Sequence, residues 1–265
     1  MTFFSLGSGS CGNCYYISTD TDAIIIDCGV GIRRFKKHMM EYGMKVGKVR
    51  GILITHDHSD HIKATGKISK GYRIPVYATE AVHKGMERSW QNPAKVPAEN
   101  KRIINFGESF TIGPFTITPF PVPHDATENT GYHIVTGNIR FTLMTDIGAA
   151  TEDIKHYISI STHLVMESNY DVDMLTNGHY PAILKQRISS GHGHLSNKIA
   201  ADTLSEHMSP DLKHVWLCHL SEENNHPEVA RSTMEEALKQ HGIDIGKDLS
   251  LDVLRRKIPS GPYQL

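Results

Sequence analysis

The sequence predicts an α/β protein, a four-layer αβ/βα sandwich in which two sheets pack together with helices outside. Three observations lead there. Strand-like runs alternate with helix-like stretches at both ends of the chain, hairpin-like segments fill the middle, and one apolar strand ends in a dense cluster of histidine and aspartate. All 265 residues read as a single domain, 1–265, without a low-complexity tract, a long linker or an internal repeat.

Taken in order, "TFFSL", "CYYIST" and "AIIIDCG" read as three short strands separated by turn-formers. "GIRRFKKHMMEYGM" reads as a helix, and the unbroken apolar run of "VRGILIT" as a buried strand. A helix-like stretch follows His61, then the strand "IPVYAT" and the helix "EAVHKGMERSW". "SFTIGPFTITPFPV" and "GYHIVTGNIRFTLMTDIG" read as hairpins, the second turning at "TGN". The last third alternates again: strand "THLVMES", helical "YPAILKQRI" and "SNKIAADTLSEHM", strand "HVWLCHL" and helix "HPEVARSTMEEALKQHG".

Composition excludes some function classes. With 28 Lys+Arg against 29 Asp+Glu the net charge is −1, which argues against a general polyanion binder while leaving room for a local basic patch. No apolar run approaches the ~20 residues that span a bilayer, and "MTFFSLGSGS" lacks the basic start of a signal peptide. The expected setting is cytoplasmic, with no membrane partner and with Cys11, Cys14, Cys28 and Cys218 as reduced thiols. Cys11 and Cys14 form a C-x-x-C, but it runs into strand-like residues rather than opening a helix, so small buried residues are expected there rather than a redox dithiol or a zinc site.

The 17 histidines point more sharply. In "GILITHDHSDH" three histidines and two aspartates fall between His56 and His61, at the C-terminal end of a strand, where α/β proteins place their chemistry. One metal cannot use every side chain at that spacing. His56 and His58 point the same way in an extended segment, whereas Asp60 and His61 lie past the start of a helix, which predicts two adjacent metals. Further donors stand at strand ends: His124 after "ITPFPVP", Asp146 after "FTLMT" and His219 after "VWLC". Asp57 and Ser59 are assigned to loop hydrogen bonds.

"THDHSDH" is similar to the H-x-H-x-D-H signature of the metallo-β-lactamase fold, and Asp27, His124, Asp146 and His219 stand in the order of that superfamily's other motifs. The resemblance implies that His56, His58 and His124 bind one metal, that Asp60, His61 and His219 bind a second, and that Asp146 bridges them. Asp27 would orient the ligand loop. Five imidazoles and two carboxylates without a thiolate suit two divalent transition-metal ions, zinc or manganese first and iron or nickel after them. Such a pair, roughly 3.5–4 Å apart, lowers the pKa of a shared water and clamps a phosphoryl oxygen.

Four more stretches, "GSGSCGNCYYI", "ESNYDVDML", "YPAILKQRISSGHGHLSN" and "CHLSEENNHPE", resemble the YycJ/WalJ-like group of that superfamily. The chain departs from it at Cys11 and Cys14, where small residues such as serine are expected, and at Tyr170, where histidine is frequent. The resemblance implies a dinuclear phosphodiesterase, a 5′-to-3′ exonuclease on DNA ends using a metal-bridged hydroxide. The catalytic groups would be Asp60 and, by similarity to ribonuclease Z relatives, His194 as acid for the leaving oxygen with Glu167 orienting it. Lys185 and Arg187 would neutralise backbone phosphates. Ser8, Ser10 and Asn13 would bind a terminal phosphate through backbone amides. The basic run Arg33 to His38 reads as a solvated helix face. A hydrolase of small phosphodiesters or other small molecules is the alternative, and a non-catalytic metal or redox sensor using Cys11 and Cys14 is the option outside enzymes.

Overall fold

The computed structural model describes residues 1–265 and divides into two compact units. The first comprises Met1–Pro119, Ala126–Thr130 and Arg255–Leu265; the second comprises Phe120–Asp125 and Gly131–Leu254. No helix is long and apolar enough to cross a membrane.

The first unit holds β1 (Thr2–Gly7), β2 (Cys14–Ser18), β3 (Ala23–Ile26), α1 (Ile32–Glu41), β4 (Val49–Leu53), α2 (Ser59–Ile62), α3 (Thr65–Tyr72), β5 (Val76–Ala78), α4 (Glu80–Arg88), β6 (Lys101–Ile103) and β7 (Phe110–Ile112). β8 (Phe115–Pro121) folds back on β7 as the hairpin read from the sequence, with Ile112 opposite Phe115. The unit's sheet runs β14-β1-β2-β3-β4-β5-β6, where β14 is Ser260–Gln264. β1, β2 and β3 form an antiparallel meander, whereas β3 to β6 are parallel and joined by helices. β3, "AIII", is buried at every position, the pattern of a strand covered on both faces. α1 buries Phe35, His38 and Met39 and turns Arg33, Lys36 and Lys37 outward. Phe4, Leu6, Ile25, Ile52, Ile62 and Val76 belong to one apolar core.

The second unit holds β9 (Thr130–Thr136), which begins at the boundary, then β10 (Ile139–Met144), α5 (Glu152–Ile160), β11 (His163–Glu167), α6 (Val172–Asn177), α7 (Ala182–Ile188), α8 (Asn197–His207), β12 (His214–Cys218), α9 (Pro227–Gln240) and β13 (Ser250–Val253). Its strands lie in the order β13-β12-β11-β10-β9. β10 to β13 are parallel, and β9 and β10 form the predicted hairpin, Ile139 opposite Thr136, with Gly137 at φ 55°. A separate core gathers Met144, Leu164, Met166, Leu204, Leu217 and Met234. α5, α6, β6, β13 and β14 were not among the predicted elements. α5 and α6 start at side-chain caps, Thr151 accepting from the Ile154 amide and Asp171 from that of Met174.

Candidate metal centre and acid–base pair

In the first unit, the chain leaves β4 and passes through Thr55 and His56 before α2 begins, with His58 as its N-cap residue. The rings of His56 and His58 are 4.7 Å apart and nearly perpendicular, and those of His56 and His61 are 4.0 Å apart. Asp27 follows β3 in a left-handed conformation, φ 60°. Its Oδ1 accepts from the Thr55 amide (2.9 Å), and its Oδ2 accepts from Thr55 Oγ1 (2.9 Å) and from His61 Nδ1 (2.7 Å). Donation by Nδ1 to a carboxylate leaves Nε2 of His61 as the lone-pair nitrogen, the form a metal ligand requires. His56 Nδ1 sits 3.0 Å from Thr55 Oγ1, whose proton already goes to Asp27, so it too is the donor and its Nε2 keeps the lone pair. Burial pushes the Asp27 carboxyl above its usual pKa, against the opposing pull of His61 and Thr55.

The cluster is anchored through backbone as well. Asn13 N donates to Asp60 O (2.7 Å), Cys28 N to His61 O (2.7 Å), and Ala64 N to Cys28 O (2.8 Å). Gly29 packs so closely that a Cβ there would lie 1.5 Å from Asp60 O. Asp57 accepts from the Thr127 hydroxyl (2.6 Å) and amide (3.2 Å), the loop role assigned to it.

Asn13 does something the sequence did not disclose. Its Nδ2 reaches Asp60 Oδ2 (3.2 Å) and His61 Nε2 (2.9 Å), while its Oδ1 accepts from the Gly9 amide (2.8 Å). The amides of Ser8 and Asn13 donate to Arg256 O and Asp60 O, so neither is open to a phosphate; the Ser8 hydroxyl is buried against Tyr15 OH at 3.0 Å. The expectation of a phosphate-binding loop is corrected for these two, and Ser10 alone stays exposed.

In the second unit, Asp146 follows β10 and His219 follows β12, both left-handed at φ 56° and 53°. His219 Nε2 is 3.5 Å from Asp146 Oδ1, and Thr145 Oγ1 donates to Asp146 Oδ2 (2.8 Å). His124 donates from Nδ1 to Gly193 O (2.9 Å), and its Nε2 is 3.7 Å from Asp146 Oδ1. One ligand atom from each of Asp146, Glu167, His194 and His219 lies within 4.8 Å of the others.

Glu167, fully buried at the end of β11, uses all of its carboxylate. Oε1 accepts from His194 Nδ1 (2.8 Å) and His219 Nδ1 (3.1 Å), and Oε2 accepts from the amides of Ile147 (2.8 Å) and Leu195 (3.1 Å). It therefore positions two imidazoles rather than ligating a metal itself. Burial alone would raise its pKa, but the two histidines outweigh that and hold it below the usual carboxylate range. Burial would lower that of His194, but Glu167 and Asp146 outweigh it and raise it. The His194 ring keeps 19% exposure, so it is held and still reachable, whereas His192 is exposed.

Lys185 and Arg187 are engaged elsewhere: Lys185 donates to Thr176 O (2.7 Å), and Arg187 pairs with Asp125 beside His124. Asn169, missed in the sequence, donates to His219 O (2.7 Å), and Asn225 fixes that turn by donating to Asn169 O (2.9 Å) and Ser168 O (3.0 Å). No motif spacing announces these residues. Cys11 is exposed and Cys14 fully buried, and all four cysteines are free.

The profile of the β-lactamase superfamily domain matches residues 22–220. Exodeoxyribonuclease YycJ of Bacillus anthracis is 35% identical over 258 residues, 97% of each chain. Exodeoxyribonuclease WalJ of Streptococcus pneumoniae is 34% identical, covering 93% of this chain and 91% of its own. The metallo-β-lactamase fold protein YhfI of Bacillus subtilis superposes with a TM-score of 0.72 at 15% identity, covering 98% of this chain and 100% of that one. This likeness bears on the fold, and it agrees with the class expected from the sequence.

Proposed function

Because the chain belongs to the β-lactamase superfamily and, within it, to the family of the YycJ and WalJ relatives, we propose that it is a metal-dependent phosphodiesterase that degrades DNA from an end in the 5′-to-3′ direction. The observation that carries this reading is the double use of Glu167. One buried carboxylate fixes the tautomer of a metal-ligand histidine, His219, and holds a partly exposed imidazole, His194, as a proton donor. A structural metal site has no use for the second of these.

In this reading His56, His58 and His124 would hold one divalent ion, Asp60, His61 and His219 would hold a second, and Asp146 would contribute to both. The residues fit such ions. Nδ1 of His56, His61, His124 and His219 is bonded to Thr55, Asp27, Gly193 and Glu167 respectively, which leaves each Nε2 as a neutral nitrogen donor. With no thiolate in the set, zinc or manganese is the first choice, and iron or nickel the second. Bound there, two ions would acidify water and neutralise charge on a phosphoryl oxygen. Asp27 and Asn13 keep Asp60 and His61 in place, and His194 gives its proton to the departing alkoxide while Glu167 stabilises the imidazolium before the transfer. Four free cysteines accord with work in the reducing cytoplasm.

The test is incubation with Mn²⁺ or Zn²⁺ and duplex DNA carrying a 5′-phosphate and a label at one end or the other. End-directed loss from the 5′ side is expected. Turnover of bis(p-nitrophenyl) phosphate with intact DNA would replace this reading by that of a small-phosphodiester hydrolase.

A further inference from the structure

Two chain segments that run on from the ligand turns, residues 28–40 and 62–79, carry eight lysines and arginines and no carboxylate. In a chain of net charge −1, that is a strong local excess. Four of the eight, Arg33, Arg34, Lys63 and Lys67, line one cavity of about 490 Å³ together with Gly31 and Ile32. None of the four is ion-paired; Arg34 alone is tied down, donating to the Lys257 carbonyl. Gly31 is the N-cap of the ten-residue α1, whose first turn has neither a capping side chain nor an acidic residue. The helix therefore adds its own positive end to the four cations instead of offsetting them.

Four cations around one cavity repel each other, and nothing in its wall relieves that repulsion. An anion from outside would. The walls are rooted in the ligand turns: Gly31 follows Asp27 by four residues, and Lys63 follows His61 by two. Backbone hydrogen bonds from Cys28 N to His61 O and from Ala64 N to Cys28 O join the two turns, so the cavity is fixed to the same rigid knot as Asp27, Asp60 and His61. Lys63, Lys67 and Lys70 follow at intervals of four and three and are all exposed, while Ala64, Ile68 and Ser69 between them are buried. The row ends at a second cavity of about 450 Å³ lined by Lys70, Arg73 and Lys95 together with Glu99.

We propose that the cavity between α1 and the α2–α3 turn binds a backbone phosphate of the DNA strand being degraded, and that the lysine row along α3 takes the phosphates next to it. This rests on the DNA reading above and names the surface that grips the strand. It shifts that role from Arg187, which is paired with Asp125, and Lys185, which is held by the Thr176 carbonyl, to a basic helix end with no ion pair, where Arg34 alone is held, by the Lys257 carbonyl.

The test compares wild type with Arg33→Ala/Lys63→Ala/Lys67→Ala in Mn²⁺, using a phosphorothioate 12-nucleotide strand that resists cleavage. All three positions are exposed, and an unchanged melting temperature verifies folding. The affinity is expected to fall by ~10–100-fold and the slope of log K against log salt by about 2, roughly 0.7 for each phosphate that is no longer neutralised. Lys213→Ala/Lys239→Ala, which removes exposed charge from the second unit, should leave both as they are. Equal affinity and slope in wild type and the triple variant overturn the inference while leaving the nuclease reading intact. An equal drop in affinity for a mononucleotide and for the 12-nucleotide strand also overturns it, because the cavity then takes a lone phosphate and not a strand. Wild-type protein that turns over bis(p-nitrophenyl) phosphate but binds no DNA overturns both.

Discussion

His194 and Glu167, 27 positions apart in the chain, meet through a 2.8 Å hydrogen bond from Nδ1 to Oε1. The same oxygen also receives His219, so the proposed acid and a proposed metal ligand share one anchor. His194→Ala removes the acid without touching that anchor. Diester cleavage should slow by ~10²–10⁴-fold while bound metal, measured by elemental analysis, stays at the wild-type level. An unchanged rate would remove His194 from the mechanism.

Glu167→Ala should act differently, because it releases both imidazoles and leaves two amides without their acceptor. Metal affinity is expected to fall by about 10–100-fold alongside the rate, with a stability loss of roughly 3 kcal/mol or more. Equilibrium dialysis and urea unfolding separate the two effects.

His58→Ala and Asp146→Ala remove donors assigned to the ions. Each should abolish cleavage and lower metal content, and chelation of wild-type protein should lower the melting temperature, since ligands that bind only the folded state stabilise it. A wild-type melting curve that is indifferent to chelator would contradict the assignment.

Gly29→Ala tests the backbone knot. Its Cβ would stand 1.5 Å from Asp60 O, so the Asp60 turn must move or the protein must unfold. A stability loss of several kcal/mol is expected, about as large as single substitutions produce. Asn13→Ala is the milder companion: the fold should persist, with metal affinity lowered about 10–100-fold through Asp60.

Acid sensitivity should come from buried histidines away from the site. Burial lowers the pKa of His133 and of His163 to about 4, with Arg140 and His156 adding to the effect on the first and His214 and Lys213 on the second. The unfolded chain protonates them near pH 6.5, so it binds more protons than the folded one below that value. Their stabilisation is therefore full above pH 6.5 and is lost as pH falls through about 4, at roughly 2 kcal/mol each by pH 5. His133→Gln should flatten the dependence of the urea midpoint on pH between 7 and 5; an unaltered slope would contradict this.

What the sequence made legible was local. His56 to His61 is contiguous, and the strand before it is marked by an unbroken apolar run, so cluster and strand end were visible together. The hairpin at Gly137 announced itself through "TGN" between alternating residues. Asn13 was opaque because its partners lie 47 and 48 positions away, and a Gly-rich loop reads equally as a phosphate cradle or as a turn. Arg187 looked free for the same reason, its partner Asp125 standing 62 positions earlier. α6 is too short for helical periodicity to show, and β14, "SGPYQ", has no apolar alternation; its place beside β1 comes from the far end of the chain. The basic helix end in "RRFKKH" reads as a solvated face until α3 supplies the other wall.

Asp27, Asp146 and His219 each leave a strand with φ between 53° and 60°, where a side chain costs about 1–2 kcal/mol that glycine does not. Glycine would relieve that strain but would strip Thr55 and His61 of the Asp27 carboxylate, Thr145 of Asp146, and Glu167 of the His219 ring. A thermostabilisation campaign that replaces left-handed residues by glycine should therefore hold Asp27, Asp146 and His219 fixed.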